Sequence, residues 1–271
     1  MISSPNSTVD VQCLGGVCTI TLDRPERLNA IDRDMAAALA AVTAAAGNDE
    51  TIRAVVVRGA GDNFMAGGDL ALFKTWLEEG ADRSHQRDRF EGFVREVHPT
   101  ILALREMRKP VIAGIQGTVA GFGISLMLVC DLVVAAEDAV FTLAYSLIGT
   151  SPDGSSTYML PRIVGLKRAF EIALLADRFG TAEAREWGLV NRVVPAAELD
   201  DAVAKLAARL AAGPTHAYGN TKALLNSTFD RPLEEQLDAE AASFADCAVS
   251  EDFAEGIAAF LDKRAAQFKG R

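Results

Sequence analysis

The chain is short of the residues that several kinds of chemistry require. It holds three histidines, His85, His98 and His216, and none has a triad context with a nearby nucleophile, so a serine hydrolase is not expected. Gly123-Ile124-Ser125-Leu126-Met127 lacks the last glycine of a nucleophile elbow, and Gly121-Phe122-Gly123 lacks the last glycine of a dinucleotide fingerprint. The four cysteines (Cys13, Cys18, Cys130, Cys247) form no CxxC pair and meet no histidine cluster, which excludes a zinc site or a disulfide framework and fits a reducing cytoplasm. Basic residues are outnumbered 27 to 37, giving a net charge of −10. That field has the wrong sign for nucleic acid or an anionic membrane surface. The opening MISSPNSTVD has no basic segment followed by an apolar one, so no signal peptide is expected and the cytoplasm is the expected location.

What the chain does have is centred on Lys109–Asp131, KPVIAGIQGTVAGFGISLMLVCD, uncharged from Val111 to Cys130. Gly114, Gly117, Gly121 and Gly123 would interrupt a membrane helix. The stretch reads instead as a buried strand (Val111–Ile115), a glycine-rich loop, and a helix from about Gly121 to Val129, with free N–H groups at the helix start that can receive negative charge. Upstream, a hairpin turns at Leu14-Gly15-Gly16, and Asp32 caps an alanine-rich helix to about Ala46. Ala54–Val57 reads as a strand buried on both faces, leading through Gly59–Leu70 to a helix near 70–77. Glu79–Arg89 is polar and exposed or mobile, and one long helix is expected over 90–107. Strands follow at 132–136 and 139–143, and Gly188-Leu189-Val190 leads to another that ends at Pro195. Beyond Pro195 only helices are expected, near 199–211, 215–226, 233–248 and 252–268. The composition and order give an α/β core over 1–195 and a helical subdomain over 196–271.

Two strand-to-helix turns, Ala66-Gly67-Gly68-Asp69 and Ala120-Gly121-Phe122-Gly123, place small residues where backbone N–H groups are free. Brought together by adjacent strands, they could form an oxyanion hole; glycines at such turns also serve backbone geometry alone. Asp153 is the only charged residue between Asp138 and Arg162. Such an isolated carboxylate can have a raised pKa and exchange protons, or can cap the helix that follows.

The motifs Asp23–Ala30 (DRPERLNA), Phe64–Leu70 (FMAGGDL), the central glycine stretch running into Cys130-Asp131, and Ala184–Val190 (AREWGLV) resemble, in order and spacing, the crotonase (enoyl-CoA hydratase/isomerase) superfamily over about residues 9–268. The resemblance implies a spiral of ββα turns and a helical C-terminal trimerisation region, as a homotrimer or a hexamer built as a dimer of trimers. It implies an acyl-CoA thioester substrate, with coenzyme A as part of the substrate, no separate cofactor and no metal. The thioester oxygen would be held by the N–H groups of Gly68 and Phe122. Arg27, Leu28, Ala30, Ala66, Gly67, Asp69 and Leu70 fall on substrate-binding positions. Phe260 and Lys263 match positions that contact CoA from a neighbouring subunit, against the alternative of a core ring and a solvated lysine.

This sequence departs from the hydratases of that family at both of their catalytic glutamates: Ser125 stands at the first position and Tyr145 at the second. Neither is a competent base near neutral pH. Ser151-Pro152-Asp153-Gly154, continuing into Leu160–Leu166, resembles the epoxyphenylacetyl-CoA isomerase and enoyl-CoA isomerase branch, which places a catalytic aspartate at Asp153. The expected activity is an isomerase in which Asp153 shifts a double bond or assists a ring rearrangement, with Tyr145 bonding substrate or Asp153, or packing in the core, and Ser125 lining the pocket. Alternatives are a hydratase, a hydrolase or dehalogenase with Asp153 as nucleophile, and a non-catalytic acyl-CoA-binding relative. The segment 73–97 is expected to shape the acyl pocket.

Overall fold

The structure, a computed structural model, describes residues 2–271. In chain order the strands are β1 (Val9–Leu14), β2 (Val17–Leu22), β3 (Ala54–Gly59), β4 (Val111–Ile115), β5 (Thr118–Ala120), β6 (Leu132–Ala136), β7 (Val140–Thr142), β8 (Phe179–Gly180) and β9 (Arg192–Val194). The helices are α1 (Arg33–Asn48), α2 (Leu70–Glu78), α3 (Arg83–Glu96), α4 (His98–Glu106), α5 (Phe122–Leu128), α6 (Ser156–Leu175), α7 (Thr181–Glu186), α8 (Leu199–Ala211), α9 (Thr215–Ser227), α10 (Leu233–Ala248) and α11 (Glu251–Leu261).

Alternation along the apolar strands sets the layers. In β3, Val55 and Val57 face the main core while Val56 faces a second one; in β4, Ala113 and Ile115 oppose Ile112; in β6, Val133 and Ala135 oppose Val134 and Ala136. These strands sit in a six-stranded sheet ordered β1-β2-β3-β4-β6-β9, antiparallel only at the β1–β2 hairpin. The second core is closed by α8 through Leu199, Val203, Leu206 and Ala207. The main core lies between this sheet and a small one ordered β5-β7-β8, which isolated parallel bridges extend through Met65–Val119 and Ile31–Gly68. Each turn of the chain therefore lays one segment in the large sheet, one in the small, and then a helix: β2, Ile31, α1; β3, Met65, α2; β4, β5, α5; β6, β7, α6. This is the spiral of ββα turns that the resemblance implies.

The hairpin, the Asp32 cap (accepting from the Met35 N–H at 2.9 Å) and the strands at 54, 111 and 132 stand where expected. Three local expectations are corrected and one is refined. The glycine-rich loop contains β5, whose three residues are too few to make a pattern. The helix expected over 90–107 is two helices meeting at Val97, because Pro99, in the first turn of α4, has no N–H to continue α3. The polar segment 79–89 is largely exposed but is helical from Arg83, since Asp82 caps α3 by accepting from Ser84 and His85. The last helix stops at Leu261, with Lys263 left-handed (φ 55°), and the tail is drawn back by the Asp252 carboxylate, which accepts from the N–H groups of Lys269 (2.6 Å) and Gly270 (2.7 Å).

Among the C-terminal helices α9 packs on α4, α10 on α9 and α11 on α10. Buried Lys222 on α9 anchors them, donating to the Leu104 carbonyl (2.7 Å) and pairing with Asp131 (2.8 Å). Among the described residues no helix is long and apolar enough to cross a membrane, and no cluster of side chains has metal-ligand character.

Candidate active site

The two glycine turns meet. Ala120 donates its N–H to the Met65 carbonyl (2.8 Å), and Ala66 donates to that of Leu28 (3.0 Å), so the bridge at Met65 stacks one strand-to-helix turn on the other. Gly67 is left-handed (φ 94°), and a Cβ there would lie 3.1 Å from the Ala120 carbonyl and 3.4 Å from the Phe122 nitrogen. Only glycine permits that approach. Among the described residues, neither the Gly68 nor the Phe122 N–H has a protein acceptor.

Both turns border a cavity of about 620 Å³. Ala66, Gly67, Gly68, Leu70 and Phe122 line one side of it, and Tyr145 and Asp153 another. Phe73, Phe90, Phe93, Val94 and Val97 make an apolar wall from the expected segment, with Phe73 edge-on to both Phe90 and Phe93. Asp153 is the one carboxylate in the lining among the described residues; the only other charged group is Lys74.

Asp153 does not cap α6 through its side chain. Its carboxylate instead accepts a short hydrogen bond from the Tyr145 hydroxyl through Oδ1. Burial pushes the Asp153 pKa above the usual carboxylate range, against the opposing pull of the Tyr145 hydrogen bond and of nearby His98. Burial, followed by the neighbouring Asp153 charge, pushes the Tyr145 phenol well up, so it remains a donor at neutral pH. Tyr145 is thus both packed (7% exposed) and bonded to the carboxylate.

Seven of the expected site residues stand outside the cavity lining. Asp69 caps α2, accepting from Ala71 (3.0 Å) and Leu72 (3.3 Å), and pairs with Arg24 (2.9 Å). Burial opposes its charge, but Arg24 and those N–H groups outweigh it and hold its pKa below the usual range. Arg27, Leu28 and Ala30 belong to a turn locked by buried Asn29, whose side-chain amide donates to the carbonyls of Ala60, Asn63 and Phe64. Ser125 is fully buried and outside the cavity lining, donating to the Asp153 carbonyl (2.8 Å). Phe260 (83% exposed) and Lys263 lie at the exposed end of α11. The sequence reading missed Ile31, Ala144, Ile148 and Thr150, which also line the cavity. The last three fall within the Tyr145–Asp153 loop or beside it, so their nearness to two candidate residues was the available signal.

Comparison with known proteins identifies the family of the chain. The family model described as enoyl-CoA hydratase/isomerase matches residues 13–271. The 1,2-epoxyphenylacetyl-CoA isomerase of Escherichia coli is 38% identical, over 94% of this chain and 96% of its own. The 4-chlorobenzoyl coenzyme A dehalogenase-2 of an Arthrobacter species is 33% identical, over 97% and 94% respectively. Among solved structures, an enoyl-CoA hydratase from Polaromonas sp. JS666 superposes with a TM-score of 0.90 at 34% identity, covering 96% of this chain and 99% of that one. The chain belongs to the enoyl-CoA hydratase/isomerase family, the crotonase superfamily.

Proposed function

We propose that the protein is an acyl-CoA isomerase that uses Asp153 as its single acid/base group. The observation that carries this reading is the isolation of Asp153: it is the one lining carboxylate among the described residues, and it shares the cavity with the free N–H groups of Gly68 and Phe122. Those two donors would hold the thioester oxygen as charge develops on it, each worth about 10²–10³ in rate. The Asp153 carboxylate would take a proton from the α-carbon of a β,γ-unsaturated thioester, leaving a dienolate. Returning that proton to the γ-carbon places the double bond at α,β and restores the carboxylate. No water is added, so no second base is needed. Ser125 is bonded away from the cavity and Tyr145 holds its proton, which weighs against hydration by two bases.

The apolar faces of α6, α10 and α11, including Leu166, Phe170, Phe244 and Ile257, are exposed in the single chain and favour assembly into trimers or hexamers. In such an assembly Phe260 and Lys263 would be available to a neighbour's CoA.

The test is Asp153→Asn assayed with a 3-enoyl-CoA. The expected fall in kcat is about 10²–10⁴-fold, the range for loss of a positioned acid/base group. Unchanged turnover would refute the reading, and an acyl group trapped covalently on Asp153 would replace it with nucleophilic catalysis.

A further inference from the structure

Asp153 precedes a turn with an unusual backbone. Gly154 (φ 58°) and Ser155 (φ 83°) are both left-handed before α6 begins, a conformation that costs a non-glycine residue about 1–3 kcal/mol. The turn is held at the Asp153 carbonyl, which accepts from Ser125 Oγ (2.8 Å), Ser156 Oγ (2.9 Å) and the Ser156 N–H (3.2 Å). The two Ser156 donors belong to the same turn and travel with it. Only Ser125 reaches the carbonyl from another element, α5, whose first residue Phe122 carries one of the free N–H groups. The contact between the two elements is close: a Cβ on Gly154 would lie 2.6 Å from the Phe122 ring and 2.9 Å from Ser125 Cβ.

We infer that Ser125 is a positioning residue: its hydroxyl ties the Asp153 turn to α5, so that the Asp153 carboxylate and the Phe122 N–H are held as one rigid unit. The inference rests on the acid/base reading of Asp153. Proton transfer between two carbons of a bound thioester needs the carboxylate fixed relative to the group holding the oxygen, and a displacement of about 1 Å can cost about 10²-fold. Ser125 is 0% exposed, so no water competes for its hydroxyl. Tyr145 holds the same aspartate at the carboxylate end, and Ser125 holds it at the backbone end.

Ser125→Ala is the probe. It keeps the Cβ that packs on Gly154, and it leaves the Asp153 carbonyl with both Ser156 donors, so the fold is retained. Two measurements are made on the full-length enzyme. The first is the titration of Asp153 by ¹³C NMR with carboxyl-labelled aspartate, its signal assigned by its absence in Asp153→Asn. Because burial holds the Asp153 pKa up, a loosened turn that admits water moves its midpoint toward lower pH. The second is steady-state kinetics with a 3-enoyl-CoA, where kcat is expected to fall about 10–100-fold with KM within twofold. An Asp153 titration that does not move in Ser125→Ala overturns the inference, whatever happens to the rate. If wild type does not isomerise the thioester, the reading of Asp153 fails, and the titration still decides whether Ser125 controls the turn.

Discussion

Tyr145→Phe removes one hydroxyl from the candidate site and leaves the ring, so its effect can be worked out in sign and size. Tyr145 donates to Asp153 Oδ1 from a buried position, and a hydrogen bond to a charged acceptor is worth about 1.5–3 kcal/mol. The donor stabilises the carboxylate and not the neutral acid. Burial already favours the neutral form of Asp153; without Tyr145 that preference grows, and the carboxylate forms only at higher pH. If Asp153 acts as the base in the free enzyme, the acid limb of the kcat/KM profile follows its ionisation. The limb should therefore move to higher pH. On its acidic side kcat/KM should fall by about 10–100-fold, the same free energy expressed as a ratio. At pH values where both enzymes are fully ionised the two profiles should converge. The assay is a pH–rate profile with a 3-enoyl-CoA, reading the absorbance of the conjugated thioester. A limb that stays in place, or moves to lower pH, would refute the claim that Tyr145 supports the ionised carboxylate.

Two further changes test the scaffold. Gly154→Ala places a methyl group in contact with the Phe122 ring at a left-handed position, so about 2–5 kcal/mol of stability should be lost, together with activity, as read by thermal unfolding and turnover. Lys222→Ala leaves the Leu104 carbonyl and Asp131 without their buried donor; urea unfolding should show a loss of about 2–3 kcal/mol, while the KM of the folded enzyme stays unchanged because the cavity is elsewhere.

Much of the fold could be read from the sequence where a local signal was strong. The apolar runs of β3, β4 and β6 and the Asp32 cap are written in adjacent residues. Short or context-dependent features were not legible. The three residues of β5 make no period, and two left-handed residues at Leu28 and Asn29 are held by carbonyls from residues 60–64, which no local pattern announces. The site divides in the same way. The glycine-rich turns marked two candidate loops and the neutral stretch marked Asp153 as either a cap or an acid/base, while the roles of Gly68, Phe122 and Asp153 came from the family resemblance. Whether a residue faces the cavity or lies behind it depends on packing between distant segments. Asp69 and Ser125 sit in site motifs, yet one buttresses the scaffold through Arg24 and the other bonds the Asp153 backbone.

The most direct test of the account is a paired assay on one preparation of the wild-type enzyme. A 3-enoyl-CoA is followed for gain of the conjugated double bond, and crotonyl-CoA for its loss. One-carboxylate isomerisation predicts gain of conjugation with the first substrate and little or no loss with the second. Brisk hydration of crotonyl-CoA without gain of conjugation from the 3-enoyl-CoA would contradict it.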